Sequence, residues 1–329
     1  MRVAVVCNHD HTGVINRFGQ PRPEAYGRET FDNVAAALQE GGHETLLCEG
    51  DKGLLATLER FLPPDPLAQP SGMVFNMAYG IQGECYYAHV PAMLEMAGVP
   101  YTGSPPLGLG LAQDKVLSKI AIRSSGVPTP NFRVMRRGTE STGDLRFPVI
   151  VKPRHEDNSF GLQLIHEPAQ LRQAVEVIVT QYAQDALVEE YIDGREICVA
   201  LLGNGEFEVF PSVEIELGDA GIWTWEAKYV AASARPQICP AQIESGLETV
   251  LRDISIAAFL ACQCRDYARV DLRIDRSGRP FVLEINPLPS LGMRSSYTTA
   301  AITAGHSYSS LVNRILDVAH TRAFGIGVL

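Results

Sequence analysis

YARVDLRIDRSGRPFVLEINPLPSLG, Tyr267 to Gly292, carries two alternating runs, Ala268 to Asp275 and Pro280 to Asn286, either side of Arg276-Ser277-Gly278-Arg279. The pattern predicts a β-hairpin with a four-residue loop. With Asp275 facing Pro280, Asp271 lies opposite Glu284 and Arg269 opposite Asn286. Alternation then projects these four side chains from one face, and Val270, Leu272, Ile274, Phe281, Leu283 and Ile285 from the other. Two carboxylates and an amide oxygen at close range repel one another unless a cation sits between them, and oxygen-only donors suit Mg²⁺. Arg269 cannot ligate a metal, but its guanidinium can hold a phosphate or a developing oxyanion bidentately. The alternative is a solvated hairpin face laced with cross-strand salt bridges. Asn286 and the Pro287-Leu288-Pro289 turn that follows it favour a site.

The chain around this hairpin has 329 residues, 46% of them hydrophobic, enough for two or three domains with real cores. Its net charge of −10, with no basic tract and no interleaving of aromatic and basic residues, makes nucleic acid and an anionic membrane poor partners. No apolar run is long enough to span a bilayer, and the start MRVAVVCNHD has no signal-peptide pattern, so a cytoplasmic protein is expected. Seven cysteines scattered without paired spacing suit a reducing compartment.

In chain order, Arg2 to Asn8 predicts a buried strand and Glu29 to Glu40 a helix, a β-loop-α start. Neither G-x-G-x-x-G nor G-x-x-x-x-G-K-[ST] follows it, which weakens Rossmann and P-loop readings. Thr102 to Pro106 marks a boundary; the helix expected over Gln113 to Ser125 then has Lys115 in its first turn, where the helix dipole prefers an acid. Phe147 to Pro153 is a strand with Lys152 near its end, followed by the polar loop Arg154 to Gly161, able to fold over phosphates with backbone N–H groups and one ammonium. Along the strand Ala186 to Ile192, Glu189 and Tyr191 share a face, and the backbone of Glu190 to Ile192 is free to pair with a planar base. Glu206 to Leu217 reads as another strand and Trp223 to Tyr229 as an aromatic loop able to close as a lid, core packing being the alternative for the tryptophans. Helices over Ala241 to Cys264 and Tyr308 to Thr321 flank the hairpin.

Taken together these motifs resemble the ATP-grasp carboxylate–amine ligases, most closely the D-alanine–D-alanine ligase branch. The likeness runs from VFNMAYGIQGE through PYTGSPPLGLGLAQDKVLSK, FPVIVKPRHEDNSFG, LVEEYIDGRE and EAKY to the hairpin and GHSYSSLV. It implies an α/β (α+β) ATP-grasp fold of three domains, 1–103, 104–188 and 189–329, with ATP between the central and C-terminal sheets. The activity implied is formation of an amide bond from a carboxylate and an amine, through an acyl phosphate. Carried over by position, Lys115 and Lys152 would hold the nucleotide phosphates, Glu189, Tyr191 and Ile192 the adenine, and Glu196 the ribose. Lys228 would reach the γ-phosphate with Tyr229 beside it, Asp271, Glu284 and Asn286 would bind two Mg²⁺ ions (Mn²⁺ in their place), and Arg269 would stabilise the oxyanion. The implied partners are small amino-acid substrates and a second copy of the chain in a homodimer.

Departures fall where the family binds its amino acids. The glycine-rich G-G-x-S-x-E segment is missing, leaving Glu24 as the stand-in for the acid that receives the first substrate's ammonium. Tyr79 replaces a histidine, Cys85-Tyr86 replaces Asp-Gly, and Asn158 takes the place of a loop serine. Pro287 to Gly292 replaces T-x-P-G-M-T, with Ser295 or Ser296 for the second substrate's carboxylate. The departures open two further readings, a specialised ligase that joins or cyclises an unusual amino acid and a non-catalytic ATP-binding protein.

Overall fold

Strand β1 (Arg2–Cys7) is a run of small and β-branched apolar residues, buried along almost its whole length. A strand apolar on both sides belongs in the middle of a parallel sheet. It pairs in parallel with β2 (Glu44–Glu49) on one edge and β3 (Gly72–Asn76) on the other. The structure, a computed structural model, describes residues 1–9, 27–63, 71–217, 221–222 and 236–325. Helix α1 (Arg28–Glu40) covers one face of this sheet with Phe31, Val34 and Leu38; α2 (Leu54–Phe61) and α3 (Tyr86–Met96) cover the other with Leu54, Leu58, Val90 and Leu94.

The helix expected over Gln113 to Ser125 is displaced. Pro106–Gln113 forms a separate helix, α4, and Asp114 is an extended residue whose carboxylate accepts the Val116 and Leu117 N–H groups of α5 (Lys115–Ser124). Lys115 therefore stands at the first helical position, with the acid that the dipole favours placed just before it. Both helices pack on β13 (Pro280–Asn286) of the third sheet, and α5 also on α7 (Ser245–Ala261).

The second sheet is antiparallel, in the order β4 (Phe132–Met135), β7 (Ala186–Glu190), β5 (Val149–Pro153), β6 (Gln163–Ile165). Helix α6 (Pro168–Tyr182) seals one face with Leu171, Val175 and Ile178. Among the described residues the third sheet has six strands: β8 (Gly194–Gly203), β9 (Phe207–Val209), β10 (Val213–Ile215), β11 (Gln237–Ile238), β12 (Tyr267–Asp275) and β13 (Pro280–Asn286). Their order is β11-β10-β8-β12-β13, with β9 on the remaining part of β8. The single strand expected over Glu206 to Leu217 is two strands, because Pro211 between them cannot donate to a ladder.

Alternation divides the third sheet into two faces. Ile197, Val199 and Leu201 of β8 with Val270 and Leu272 of β12 pack under α7. Cys198, Ala200 and Leu202 face α8 (Ser296–Thr303) and α9 (Tyr308–Phe324), and α9 also meets α1, so one core joins the first and third sheets. Asp266 pins this junction. It is fully buried, and its carboxylate receives the Arg322 guanidinium at 2.8 and 2.9 Å, the Gly103 N–H at 2.8 Å and Asn204 Nδ2 at 2.8 Å.

The hairpin register is as expected at the site end and differs at the loop end. Arg269 pairs with Asn286 and Asp271 with Glu284, but Leu272 then faces Val282 and Ile274 faces Pro280. A bulge at Leu283 absorbs the shift, and the loop grows to Asp275–Arg279, closed by the Asp275 N–H to Arg279 carbonyl bond of 2.9 Å. The apolar face is corrected accordingly. Val282, not Leu283, is in the core, and Leu283 joins Glu284 on the polar side.

Candidate active site

Arg269, Asp271 and Arg273 of β12 face a cavity of about 770 Å³ bounded by the second and third sheets, a size usual for a small-molecule site. The Arg269 fork clasps Asp271, Nε to Oδ1 at 2.6 Å and Nη2 to Oδ2 at 2.7 Å, and Asn286 Nδ2 donates to Asp271 Oδ2 at 2.9 Å. Glu284 stands apart from this group and meets Lys115 Nζ at 3.5 Å. Burial alone would raise its pKa, but the charges of Lys115, Lys152, Arg269 and Lys119 outweigh burial and hold it at about 2. Lys115 is the mirror case: burial would lower its pKa, and Glu284, Asp157 and Glu156 raise it instead. Both groups are therefore fully charged at neutral pH.

The second sheet supplies the opposite wall. Lys152 Nζ lies 2.6 Å from Glu189 Oε1, and Lys119 Nζ lies 2.7 Å from Glu189 Oε2 and donates to Thr129 Oγ1 at 3.0 Å. Glu189 is thus held between two lysines, so its carboxylate is not available to a base. Lys119 escaped the sequence reading because it follows Lys115 by one helical turn, and two lysines at that spacing read as a solvated face. The structure buries it completely.

Burial pushes the Lys119 ammonium down from 10.5 to about 8 against the pull of Glu189, and the charge of Lys152 adds to the fall. Between those two values the unfolded chain binds more protons than the folded one. This group's contribution to stability therefore grows as pH rises through that window and is lost as pH falls through about 8. The gap in thermal midpoint between wild type and Lys119→Met should shift in favour of wild type between about pH 7.5 and about pH 9.5. A gap independent of pH would contradict the assignment.

At the end of β7, the expected free backbone shrinks to one donor. The Glu190 N–H bonds Asn131 O at 2.9 Å and the Tyr191 N–H bonds Pro148 O at 3.0 Å, leaving the Ile192 N–H without a partner among the described residues. Arg273 organises this corner. It pairs with Glu196 at 3.1 Å, donates to Ile192 O at 3.0 Å and Gly221 O at 2.8 Å, and stacks over the Tyr191 ring at 5.1 Å. Arg273 follows Arg269 and Asp271 at a spacing of two along β12, so alternation carried the signal for it.

At the other end of the cavity, Tyr79 and Tyr87 form an aromatic wall, ring centroids 5.3 Å apart and edge to face. Gly80 turns the chain beside them with φ of +81°, where a Cβ would collide with the Tyr86 carbonyl. The loop after β5 brings Asp157, Asn158 and Ser159 to the same end, the last two in left-handed conformation at φ 55° and 62°. Ser295 and Ser296 also line it, but the Ser295 hydroxyl caps α8 by accepting the Thr298 N–H at 3.2 Å. Of the remaining candidates, Glu24, Lys228, Tyr229 and the Trp223–Tyr229 loop lie outside the described residues.

The donors fit a hard divalent cation. Asp271, Glu284 and Asn286 offer only oxygen, and among the described residues no three His, Cys, Asp or Glu side chains gather into a cage of their own. Mg²⁺ is characteristically held in this way, by one or two carboxylates together with substrate phosphates and water. A cavity with Lys115 at the start of α5 and Lys152 on one antiparallel sheet, facing Arg269, Asp271, Glu284 and Asn286 of another, has an ATP-grasp architecture.

Comparison with known proteins leads to the same class. The family model described as D-ala D-ala ligase C-terminus matches residues 121–317. The D-alanine–D-alanine ligase of Bordetella pertussis is 33% identical over 298 residues, covering 89% of this chain and 92% of that one. The uncharacterized protein y4sG of Sinorhizobium fredii is 73% identical over 336 residues, all of both chains. Among solved structures, D-alanine–D-alanine ligase from Bacillus anthracis complexed with ATP aligns with a TM-score of 0.76 at 22% identity, over 98% of each chain. VanG D-Ala:D-Ser ligase from Enterococcus faecalis aligns with a TM-score of 0.73 at 20% identity, over 97% of this chain and 99% of that one. The chain belongs to the D-alanine–D-alanine ligase family.

Proposed function

We propose that this protein is an ATP- and Mg²⁺-dependent carboxylate–amine ligase that forms an amide bond through an acyl phosphate. The observation that carries the reading is the convergence of Lys115, Lys152, Arg269, Asp271, Glu284 and Asn286 on a single cavity. The substrate carboxylate attacks the γ-phosphorus of ATP, and the bond to the β-bridging oxygen breaks to release ADP. The amine then attacks the acyl carbon, loses its proton, and phosphate departs with one original carboxylate oxygen.

Lys115 and Lys152 are the residues to grip the phosphates. The Ile192 N–H is the donor that would pair with the base, and Glu196 the acid that would take the ribose. Asp271, Glu284 and Asn286 are the residues to hold metal, whose chemistry when bound is to neutralise charge on the transferred phosphate. Arg269 already holds a carboxylate by a two-point fork, the geometry suited to an oxyanion. Such preorganised charges lower a barrier by several kcal/mol. We further propose that the chain divides near residue 103 and, for the boundary expected at 188, just after β7 at Glu190, into the units that carry the three sheets.

A second reading concerns the substrates. The Tyr79–Tyr87 wall and the Pro287-Leu288-Pro289 turn favour a ligase for amino acids other than two D-alanines. A panel of D- and L-amino acids, singly and in pairs with ATP and Mg²⁺, should contain members that release phosphate and yield an amide by mass spectrometry. Silence across the panel would contradict the proposed function.

A further inference from the structure

Arg273 lines the cavity and is buried, its side chain 5% exposed. A guanidinium taken out of water destabilises a fold unless its donors are engaged. Here Nη1 donates to Ile192 O at 3.0 Å, and Nη2 donates to Gly221 O at 2.8 Å and to Glu196 Oε2 at 3.1 Å, which occupies both of its hydrogens. The same group stacks over the Tyr191 ring, 5.1 Å from its centroid, and the Tyr191 hydroxyl donates to the same Gly221 O at 2.9 Å. Gly221 fits closely: its φ is +66°, and a Cβ would come within 2.6 Å of the Tyr191 hydroxyl oxygen.

The plainest role for such a residue is to balance the charge of Glu196, for which a lysine would serve as well. The choice of acceptors argues for more. Tyr191, Ile192, Glu196 and Ile222 all line the cavity, so one planar fork sets three separate pieces of chain in a single frame around the place assigned above to base and ribose. Within that frame lies the Ile192 N–H, without a partner among the described residues. A donor fixed in direction tells purines apart. Ring nitrogen N1 of adenine accepts a hydrogen bond, whereas N1 of guanine carries a hydrogen and sets donor against donor. The discrimination lasts only while Ile192 cannot turn, and the carbonyl of that residue is what Arg273 holds.

We propose that Arg273 is a positioning residue for nucleotide selection: by fixing Ile192 and Glu196 through one fork, it makes the cavity take an adenine nucleotide in preference to a guanine nucleotide. It acts through those two residues. This rests on the reading of the cavity as the nucleotide site of a ligase.

Calorimetry with ATP and with GTP in the presence of Mg²⁺, on wild type, Arg273→Lys and the double variant Arg273→Met/Glu196→Gln, tests this without the amino-acid substrates. Wild type should bind ATP about a hundredfold more tightly than GTP, the scale of a buried donor left without an acceptor. Arg273→Lys keeps the charge beside Glu196 and loses the fork. Its thermal midpoint should stay near that of wild type, while the preference for ATP falls below about tenfold. The double variant leaves no unpaired charge behind and decides the matter if the lysine variant does not fold. Its second substitution touches the ribose that both nucleotides share, so it cancels in the ratio, which should again be low. A wild-type preference retained in either variant, or equal affinity of wild type for the two nucleotides, overturns the role of Arg273 and leaves the ligase reading standing. Failure of wild type to bind either nucleotide overturns both.

Discussion

Glu284→Gln should slow ATP-dependent phosphate release by about a thousandfold, the several kcal/mol that a catalytic metal supplies. The substitution keeps shape and volume and removes one charge. That charge is the one the donor set relies on, because Asp271 is already neutralised by the Arg269 fork whereas Glu284, among the described residues, forms its one ion pair with Lys115 at 3.5 Å. Its pKa of about 2 shows how strongly the surrounding cations favour its ionised form. The variant should retain the wild-type circular dichroism spectrum and need far more Mg²⁺ to reach half its own maximal rate. Wild-type rates at ordinary Mg²⁺ would remove Glu284 from the metal site.

The second large effect falls on stability. Glu189→Gln leaves Lys119 and Lys152 facing each other in the interior without the carboxylate that both contact, at 2.7 and 2.6 Å. Breaking a buried ion pair from one side costs about 3–5 kcal/mol, and a fall of roughly 10 °C in thermal midpoint follows. ATP affinity should fall with it, since Lys152 loses the group that fixes its ammonium. Adding Lys119→Met to Glu189→Gln removes the like charge and should restore much of the loss, a coupling that a double-mutant cycle reads directly. A single variant within about 1 kcal/mol of wild type would show that the triad does not hold the wall together.

These two residues illustrate what the sequence made legible. The opposition of Arg269 to Asn286 and of Asp271 to Glu284 followed from strand alternation and a four-residue loop; the two pairs are present in the structure, although Ile274 rather than Asp275 faces Pro280. The bulge at Leu283 was not legible, because a single extra residue leaves local alternation intact and is specified by packing of Val282 under α7. For the same reason, the Glu189 side chain reads as one of two pocket-facing residues on a strand, and its partner Lys119 reads as surface. Their meeting depends on α5 crossing the end of the second sheet, a long-range event with no local pattern. Tertiary structure likewise engages two of the three backbone donors that the strand ending at Ile192 offered in principle. Arg273 and the break at Pro211 needed only information already in the chain, the period of two and the missing proline N–H.

The central claim is that a carboxylate is activated by phosphorylation between the two sheets. Supplying the donor amino acid with both carboxylate oxygens as ¹⁸O, together with ATP, Mg²⁺ and the acceptor, tests it in one measurement. An acyl phosphate leaves one labelled oxygen in each inorganic phosphate released, and one in the amide product. Phosphate released without label, its new oxygen drawn from water, would contradict the account.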